Sequence, residues 1–269
     1  ERKLAMNESY ESGDAMRYRK LKDSPSSRAR SKIVRTFAPD GISRLKSYIV
    51  AKSKPFATPL VKKLIEPQTF QYRGNPLVQE FHAHNATWSN ERALELAIAK
   101  FELSSAGNAS TLEIGSELTH YGIGTLFPRT IVDKYEPSNG VINQDIFDLV
   151  PDSKFDLAFS LSTFEHIGID EHDAEYEPER ALAAVDHVLS NVLTKGGRLI
   201  LTVPVGYNSA LDQAAFAPKG PLKPVAAFVR LDRRNRWRSV EPGELTRTRY
   251  GHPYRAGNGL VVFEATAHA

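Results

Sequence analysis

The chain has 269 residues, of which 41% are hydrophobic and 25% charged, a formal net charge of +3 and no cysteine. This composition suffices for one sizeable core. It excludes disulfides, thiolate metal ligands and a cysteine nucleophile. With no apolar run of 18 residues and a polar start unlike a signal peptide, we expect a cytoplasmic protein without a transmembrane helix.

Charge is unevenly distributed along the chain. Residues 1–66 hold 16 Lys and Arg against 7 Asp and Glu, residues 67–222 hold 10 against 21, and residues 223–269 hold 9 against 4. We expect residues 1–66 to be a basic N-terminal extension, helical or irregular, that is partly disordered or acts as a lid. Its charge also allows peripheral contact with an anionic membrane surface or another anionic partner. Residues 67–269 are expected to form the folded domain.

The pattern from Ser89 onward predicts alternating helices and strands. A first helix is capped by Ser89 or Asn90 and ends before Gly107. A second helix begins near Pro178 and stops at residues 195–197, a lysine followed by two glycines. Seven short apolar runs predict strands at residues 111–114, 129–133, 140–143, 155–161, 198–206, 226–229 and 259–265.

Short apolar strands separated by crossover segments predict an α/β fold with a doubly wound, mostly parallel seven-stranded sheet. Right-handed crossovers place the carboxyl ends of parallel strands along one edge, and ligands bind at that edge. Candidate site residues should therefore follow positions 114, 133, 143, 161 and 203.

Polar residues and a glycine follow the first three strands. Gly115, followed by Ser116, lets the backbone approach a ligand closely. Asp133 can accept hydrogen bonds from a ribose diol. Asp145 is placed to meet an adenine amino group, with Ile146 covering the ring. A tight turn, a strand end and a helix cap are the alternative interpretations of Gly115, Asp133 and Asp145, but their order along consecutive strand ends indicates one adenosine-containing ligand.

The residues of the loop after the first strand disfavour a phosphate-binding loop. Glu117 and Thr119 stand where further glycines would lie, and Glu117 would repel a pyrophosphate. A ligand that is cationic at this point fits better.

Five motifs resemble, in order and spacing, those of class I S-adenosylmethionine-dependent methyltransferases. They are LEIG at 112–115, VD at 132–133, NQDI at 143–146, FDLAFSLSTFEHIG at 155–168 and LTKGGRLILTVPVG at 193–206. The resemblance spans about residues 85–265 and implies a Rossmann-like methyltransferase fold. More narrowly, the chain is similar to a bacterial branch associated with sugar and polysaccharide modification. That branch has a Glu-x-Gly-x-x-x-x-His-Tyr loop, an Asn-x-Thr-Trp-x-Asn-Glu-Arg segment and a Tyr-Gly-x-Pro…Gly-Asn end, matched at residues 113–121, 85–92 and 250–258.

The resemblance implies S-adenosyl-L-methionine as the cofactor. Glu113 and Glu117 would complement its positive end, and backbone N–H groups near Gly115 would hold its carboxylate. Trp88 would stack on the adenine or form one wall of the acceptor pocket; the alternative is that it packs in the core. The predicted cofactor-binding set is Glu113, Gly115, Ser116, Asp133, Lys134, Asp145, Ile146, Ser160, Trp88 and Arg92.

The implied reaction is in-line methyl transfer to a hydroxyl of a sugar or glycan, assisted by a general base. His166 is the first candidate base, with Glu165 orienting it or touching the cofactor. The second candidate is His120, on the loop at residues 113–121, which we call the variant loop. His166 has an alternative role in capping or packing against the following helix.

No metal is predicted. Asp170 with His172, and His82 with His84, are interpreted as exposed loop polarity, because a metal site needs three or four converging ligands.

The acceptor is expected to be a small molecule or glycan. The basic run at residues 230–238 would bind a phosphate or carboxylate on that acceptor, or be only a solvated loop. Nucleic acid is not expected, because the acidic body would repel it and interleaved aromatic residues are sparse. Two alternative functions stay open: an N- or C-methyltransferase of a secondary metabolite, and a noncatalytic partner subunit that keeps the fold.

Overall fold

The structure is a computed structural model that describes residues 65–123, 126–169, 176–217 and 220–268. Nearly all of the predicted N-terminal extension lies outside the described residues, and so does the pair Asp170 and His172. The described ranges hold the α/β domain that the sequence predicts.

Strands and helices alternate along most of this domain. The strands are β1 (Thr69–Tyr72), β2 (Asn75–Val78), β3 (Thr111–Ile114), β4 (Thr130–Val132), β5 (Val141–Ile142), β6 (Phe155–Leu161), β7 (Leu193–Pro204), β8 (Lys223–Arg230), β9 (Trp237–Ser239) and β10 (Gly259–Thr266). The α-helices are α1 (Arg92–Ala106), α2 (Arg180–His187) and α3 (Ser209–Phe216). None of the helices in the described ranges is long and apolar enough to cross a membrane.

One eight-stranded sheet dominates the fold, in the order β5-β4-β3-β6-β7-β10-β8-β9. Strands β5, β4, β3, β6 and β7 pair in parallel, whereas β10 is antiparallel to both β7 and β8. The doubly wound, mostly parallel α/β fold is confirmed, with all seven predicted runs in the sheet. The short strand β9 adds an eighth, antiparallel to β8. Strands β1 and β2 form a separate hairpin.

Each face of the sheet carries its own hydrophobic core. Along β10, Leu260 and Val262 join the core that contains α1, whereas Val261 and Phe263 join the core that contains α2 and α3. The side chains alternate because successive residues of a strand point to opposite faces. The helices therefore cover both faces and leave the strand ends as the place for a ligand.

The second predicted helix ends earlier than its sequence indicates. After α2 the chain makes a π-helical turn, Val188–Val192, and β7 begins at Leu193. The two glycines predicted to stop the helix lie inside β7 instead. A Cβ on Gly197 would stand 2.9 Å from the Thr194 carbonyl oxygen and 3.0 Å from that of Phe155. Glycine is needed there because two backbones come close, not because a helix ends.

The turn between β8 and β9 is tied to the segment that precedes α1. Asn235 is fully buried with φ of 60°. Its side-chain amide donates to the carbonyl oxygens of Thr87 (3.3 Å) and Asn90 (2.7 Å), and its own carbonyl accepts from Gln79 Nε2 at 3.0 Å. Trp237 Nε1 donates to Asn235 Oδ1 at 2.9 Å. One side chain thus joins the two segments.

Candidate active site

The carboxyl ends of the parallel strands meet at one edge, as the topology requires. Strands β3, β4 and β6 pair in direct register. Because β10 runs antiparallel, the residues just before it lie at this same edge. The loops after β3, β4, β6 and β7, together with the start of α1, form the candidate site.

Gly115 is the point of closest approach between two of these loops. Its φ is 88°, and a Cβ built on it would stand 2.3 Å from Thr163 Oγ1. Only glycine fits such a conformation and such a contact without strain. The residue thus brings the ends of β3 and β6 together, which is a tight-turn role compatible with a ligand-binding role.

Glu113 is engaged inside the protein. Its side chain is buried, pairs with Arg129 Nε, and accepts the N–H of Leu118 at 2.7 Å. Burial raises the pKa of Glu113, and the Arg129 charge and the Leu118 hydrogen bond oppose that rise. We therefore find Glu113 fixing the loop after β3, so that any effect on a ligand passes through that loop.

Asp133 ties together the loops after β3 and β4. Its Oδ2 accepts the N–H of Ser116 at 3.0 Å, and its Oδ1 accepts the N–H groups of Tyr135 and Glu136 at 2.8 and 3.0 Å. An ionised carboxylate has about four acceptor positions. Asp133 therefore has capacity for a further donor at Oδ2.

Asp145 lies beside the same loop. Lys134 Nζ is 3.1 Å from Asp145 Oδ2, and Asp145 Oδ1 accepts the N–H of Phe147 at 3.1 Å. Burial raises the pKa of Asp145, but the Phe147 hydrogen bond and Lys134 together outweigh burial and leave it below its ordinary value. Asp145 caps a short 3-10 turn, as the alternative interpretation held, and stays ionised at neutral pH.

Two further predicted residues have internal contacts. Ser160 is 1% exposed, and its hydroxyl donates to the carbonyl oxygen of Ile114 at 2.7 Å, which joins β6 to β3. Ile146 packs into the core that contains α2. In both cases the contact is structural, and the predicted cofactor contact stays a prediction.

Trp88 and His120 lie near the start of α1. Trp88 is 7% exposed and belongs to the core that contains α1. His120 is exposed and stacks on His84, with ring centroids 4.8 Å apart. His82 and His84 both pack edge-on against Tyr121. The variant loop is therefore held against the segment before α1 by aromatic contacts.

Buried carboxylates surround Arg92 at the strand ends. Arg92 Nη1 is 3.1 Å from Glu95 Oε2 and donates to the carbonyl oxygen of Leu161, and Nη2 is 3.3 Å from Glu117 Oε2. Glu95 is fully buried and accepts the hydroxyls of Ser162 at 2.5 Å and Thr202 at 2.7 Å. These contacts span the ends of β3, β6 and β7. We call Glu91, Arg92, Glu95, Glu117 and Glu165 the acidic cluster.

The acidic cluster contains four carboxyl groups and one arginine, and the pKa values of Glu91 and Glu165 are raised. Burial raises the pKa of Glu91, and the charge of Glu95 raises it further. Burial raises the pKa of Glu165 well above its ordinary value. Glu165 is 1% exposed, and its Oε2 has no hydrogen-bond partner in the described ranges. An unpaired buried carboxylate costs free energy, so the acidic cluster is suited to a cationic or proton-donating ligand.

His166 stands next to the acidic cluster and contacts a residue that the sequence reasoning missed. Its Nδ1 lies 3.0 Å from the hydroxyl of Tyr207, and its Nε2 lies 3.8 Å from Glu165 Oε1. The His166 side chain is 40% exposed. Tyr207 follows β7, and its ring packs edge-on against Tyr250 at 5.0 Å. The motif VPVGY ends in this tyrosine, so its place after a predicted strand was the available signal.

Asp212 holds the turn that carries Tyr207. Both of its carboxylate oxygens accept the N–H of Gly206, at 3.1 and 3.0 Å. Burial raises the pKa of Asp212 to about 6. Gly206 has φ of 87°, and a Cβ there would stand 2.7 Å from the Tyr250 nitrogen. The His166–Tyr207 contact therefore rests on a turn with a defined conformation.

No protein-family model matches the chain, and no curated protein is significantly similar to it in sequence. Solved structures similar to it include N-methyltransferase NodS from Bradyrhizobium japonicum WM9 with S-adenosyl-L-homocysteine, at 14% identity and a TM-score of 0.42, covering 66% of this chain and 88% of that one. A second is the 1,6-didemethyltoxoflavin-N1-methyltransferase of Burkholderia thailandensis, at 17% identity and a TM-score of 0.37, covering 76% of this chain and 100% of that one.

A third is an S-adenosylmethionine-dependent methyltransferase from Clostridium acetobutylicum, at 11% identity and a TM-score of 0.35, covering 64% of this chain and 91% of that one. Such distant likenesses concern the fold alone. The reaction is therefore argued from this chain's own residues.

Proposed function

We propose that this protein is an S-adenosylmethionine-dependent methyltransferase that methylates a hydroxyl of a sugar or glycan. The observation that carries the proposal is the His166–Tyr207 contact at the carboxyl edge of the sheet, beside the acidic cluster. It places a proton acceptor next to carboxylates suited to a cation, and this reaction needs both.

The residues at this edge fit the cofactor in charge. S-Adenosylmethionine supplies an electrophilic methyl group on a positively charged sulfur. Glu165, with one carboxyl oxygen lacking a hydrogen bond, and its neighbours Glu91 and Glu95 favour a cationic ligand. Asp133 Oδ2 has capacity for a ribose hydroxyl in addition to the Ser116 N–H.

His166 is the proposed general base. In the tautomer with its proton on Nδ1, His166 donates to the Tyr207 oxygen, and Nε2 carries the lone pair that accepts the proton of the acceptor hydroxyl. The imidazolium that forms stands 3.8 Å from Glu165 Oε1, and its positive charge would favour the ionised form of that carboxyl group, which in turn would stabilise the imidazolium. Tyr207 and Glu165 are thus positioning residues for this base.

Calorimetry on the full chain with S-adenosylmethionine and with S-adenosylhomocysteine tests cofactor binding first. Binding of both is expected, and Asp133→Ala should weaken it. The matched control is Asp232→Ala, whose carboxylate pairs with Arg236 on the β8–β9 turn. The absence of heat with either compound would overturn the methyltransferase assignment. Binding without a mass shift of 14 Da in any sugar acceptor would favour the noncatalytic subunit instead.

Transfer to an amine is the second candidate, because the acidic cluster would also hold a protonated amino group on an acceptor. Fragmentation of a labelled product distinguishes N-methyl from O-methyl. An amine product would retain the cofactor assignment and replace the sugar hydroxyl.

A further inference from the structure

A cavity of about 470 Å³ opens beside the candidate active site, between the end of β8 and the loop at residues 247–253. The polar residues that line it include Arg230, Arg247, Thr248, Arg249, His252 and Asn258. Within the described part of the chain, the lining contains no Asp or Glu. We call this the basic cavity.

Two arginines of the basic cavity have no acidic partner among the residues that the structure describes. Among the described residues, no carboxylate forms an ion pair with Arg247 or Arg249, and both side chains are exposed. By contrast, Arg236 and Arg238 of the basic run at residues 230–238 already pair with Asp232 and Glu244. The cavity, more than that run, therefore carries positive charge that an incoming anion can neutralise.

Arg230 forms a fixed wall of the basic cavity. It is 8% exposed, donates to the carbonyl oxygens of Asp232 and Arg255 at 3.1 Å each, and lies over the Tyr254 ring at 4.9 Å. Burial lowers the pKa of Arg230. Carbonyl oxygens satisfy its donors without cancelling its charge.

A neighbouring part of the cavity wall is also fixed, because the Arg230 N–H donates to the Asn258 carbonyl oxygen at 2.9 Å. The Asn258 side chain is 2% exposed and donates to the carbonyl oxygens of Arg249, Tyr254 and Ala256, and its Oδ1 accepts the N–H of Tyr254. A set of hydrogen bonds from one side chain holds the loop that presents Arg249. Because the backbone of this loop is anchored, the loop loses less entropy when Arg249 binds an anion.

The basic cavity is connected to the candidate active site through two tyrosines, Tyr250 and Tyr207. Tyr250 follows Arg249 in the chain and packs edge-on against Tyr207, which contacts His166. Gly206, before Tyr207, approaches the backbone of Arg249 and Tyr250 so closely that a Cβ would meet both. Two tyrosines in contact with each other therefore separate a ligand in the cavity from the proposed base.

We propose that the basic cavity binds a phosphate group carried by the methyl acceptor, so that the substrate is a phosphorylated sugar or glycan. This rests on the proposed function. Guanidinium groups bind phosphate oxygens in pairs, and three arginines with no acid in the lining match a dianion better than a single carboxylate.

The test measures calorimetric binding of glucose 1-phosphate, glucuronic acid and glucose to the full chain. The double variant Arg247→Ala, Arg249→Ala is compared with Arg233→Ala, Arg234→Ala, which removes the same charge from exposed arginines outside the cavity. Glucose 1-phosphate is expected to bind the parent most tightly, to lose about tenfold or more in affinity in the cavity variant, and to stay within about twofold in the control.

Other outcomes would overturn the proposal. Equal losses in both double variants would mean general surface attraction, tighter glucuronate binding would mean a carboxylate site, and no binding of glucose 1-phosphate would mean no subsite. S-Adenosylhomocysteine binding is measured on the same samples. If it persists while the phosphate result fails, the subsite alone is wrong, and if it is absent from the parent, the proposed function fails.

Discussion

The acidic cluster and the basic cavity lie at the same edge of the sheet but hold their charges in different ways. Glu95 and Glu165 are 0% and 1% exposed, and Glu95 is paired with Arg92, whereas Arg247 and Arg249 are exposed. Buried charges interact strongly and are weakly screened, and exposed charges interact weakly and are screened by salt. The first region is built to fix a cation in one place, and the second to attract an anion from solution.

The two regions meet at Glu91. Its Oε2 accepts the N–H of Gly257 at 2.8 Å, next to Asn258 of the basic cavity. Its charge also opposes the lowering of the Arg230 pKa that burial causes. One carboxylate thus separates a cation-favouring half from an anion-favouring half.

The largest expected effect falls between the two regions, at the base. Under the proposed function, His166→Ala should lower kcat by about 10²–10⁴-fold, because the acceptor proton has no group to receive it. S-Adenosylhomocysteine affinity should be unchanged. The control is His187→Ala on α2, whose ring contacts the Leu149 carbonyl oxygen. A His166→Ala protein with more than about a tenth of the parent kcat would remove His166 from this role.

Substitution of Arg92 and of Arg238 by Met compares the loss of a buried ion pair with the loss of an exposed one. Arg92→Met leaves Glu95 and Glu117 without their cation and should lower the free energy of unfolding by about 3–5 kcal/mol. Arg238→Met breaks an exposed pair with Glu244 and should cost no more than about 1 kcal/mol. Urea unfolding measures both. Similar costs for the two variants would mean that the acidic cluster is more hydrated than its burial indicates.

Glu165→Gln should stabilise the protein increasingly as pH rises. The pKa of Glu165 is raised in the folded state, so the folded state binds more protons than the unfolded one. Stability is therefore present at low pH and is lost as pH rises above the unfolded value, about 4.3. The variant has no such loss, and its Tm should exceed the parent's by about 2 °C or more at pH 8.

The same difference between Glu165→Gln and its parent should be small at pH 5. Glu244→Gln serves as the control, because Glu244 is half exposed. A constant Tm difference from pH 5 to pH 8 would contradict a raised pKa at Glu165.

The smallest expected effect is a difference between the basic cavity and the acidic cluster in their response to salt. Raising NaCl from 50 to 300 mM should weaken glucose 1-phosphate binding by about threefold, because ions screen the exposed arginines of the basic cavity. The Tm gap between Glu165→Gln and its parent at pH 8 should change by less than about 1 °C, because buried groups are screened little. If salt changed the Tm gap but not glucose 1-phosphate binding, the acidic cluster, and not the basic cavity, would be the region that solvent ions screen.

The sequence predicted the central strands well and the edges poorly. The bounds of β3 and β6 match the predicted runs, because both strands are buried and read as continuous apolar segments. Strands β1, β2 and β9 were missed, because three or four residues are too few to show a sustained pattern and because β2 and β9 are mostly exposed.

The sequence predicted on which edge of the sheet several candidate residues lie, but not which side chains pair with each other. The strand-end rule located Gly115, Asp133 and His166 at one edge. The partner of Glu113 is Arg129, sixteen positions later in the chain, and only the packing of two loops brings them together. Likewise, the contact between His166 and Tyr207 joins residues 41 positions apart. Such contacts leave no periodic signal in the sequence.

Asn235 couples two parts of the molecule that are far apart in the chain. Because its amide and carbonyl grip residues 79, 87 and 90, a displacement of the arginine-rich turn would have to break several hydrogen bonds, each worth about 0.5–1.5 kcal/mol. The β8–β9 turn and the N-terminal end of α1 are consequently expected to move together. A ligand or partner that displaces the β8–β9 turn would therefore also displace the start of α1, where Glu91 and Arg92 lie.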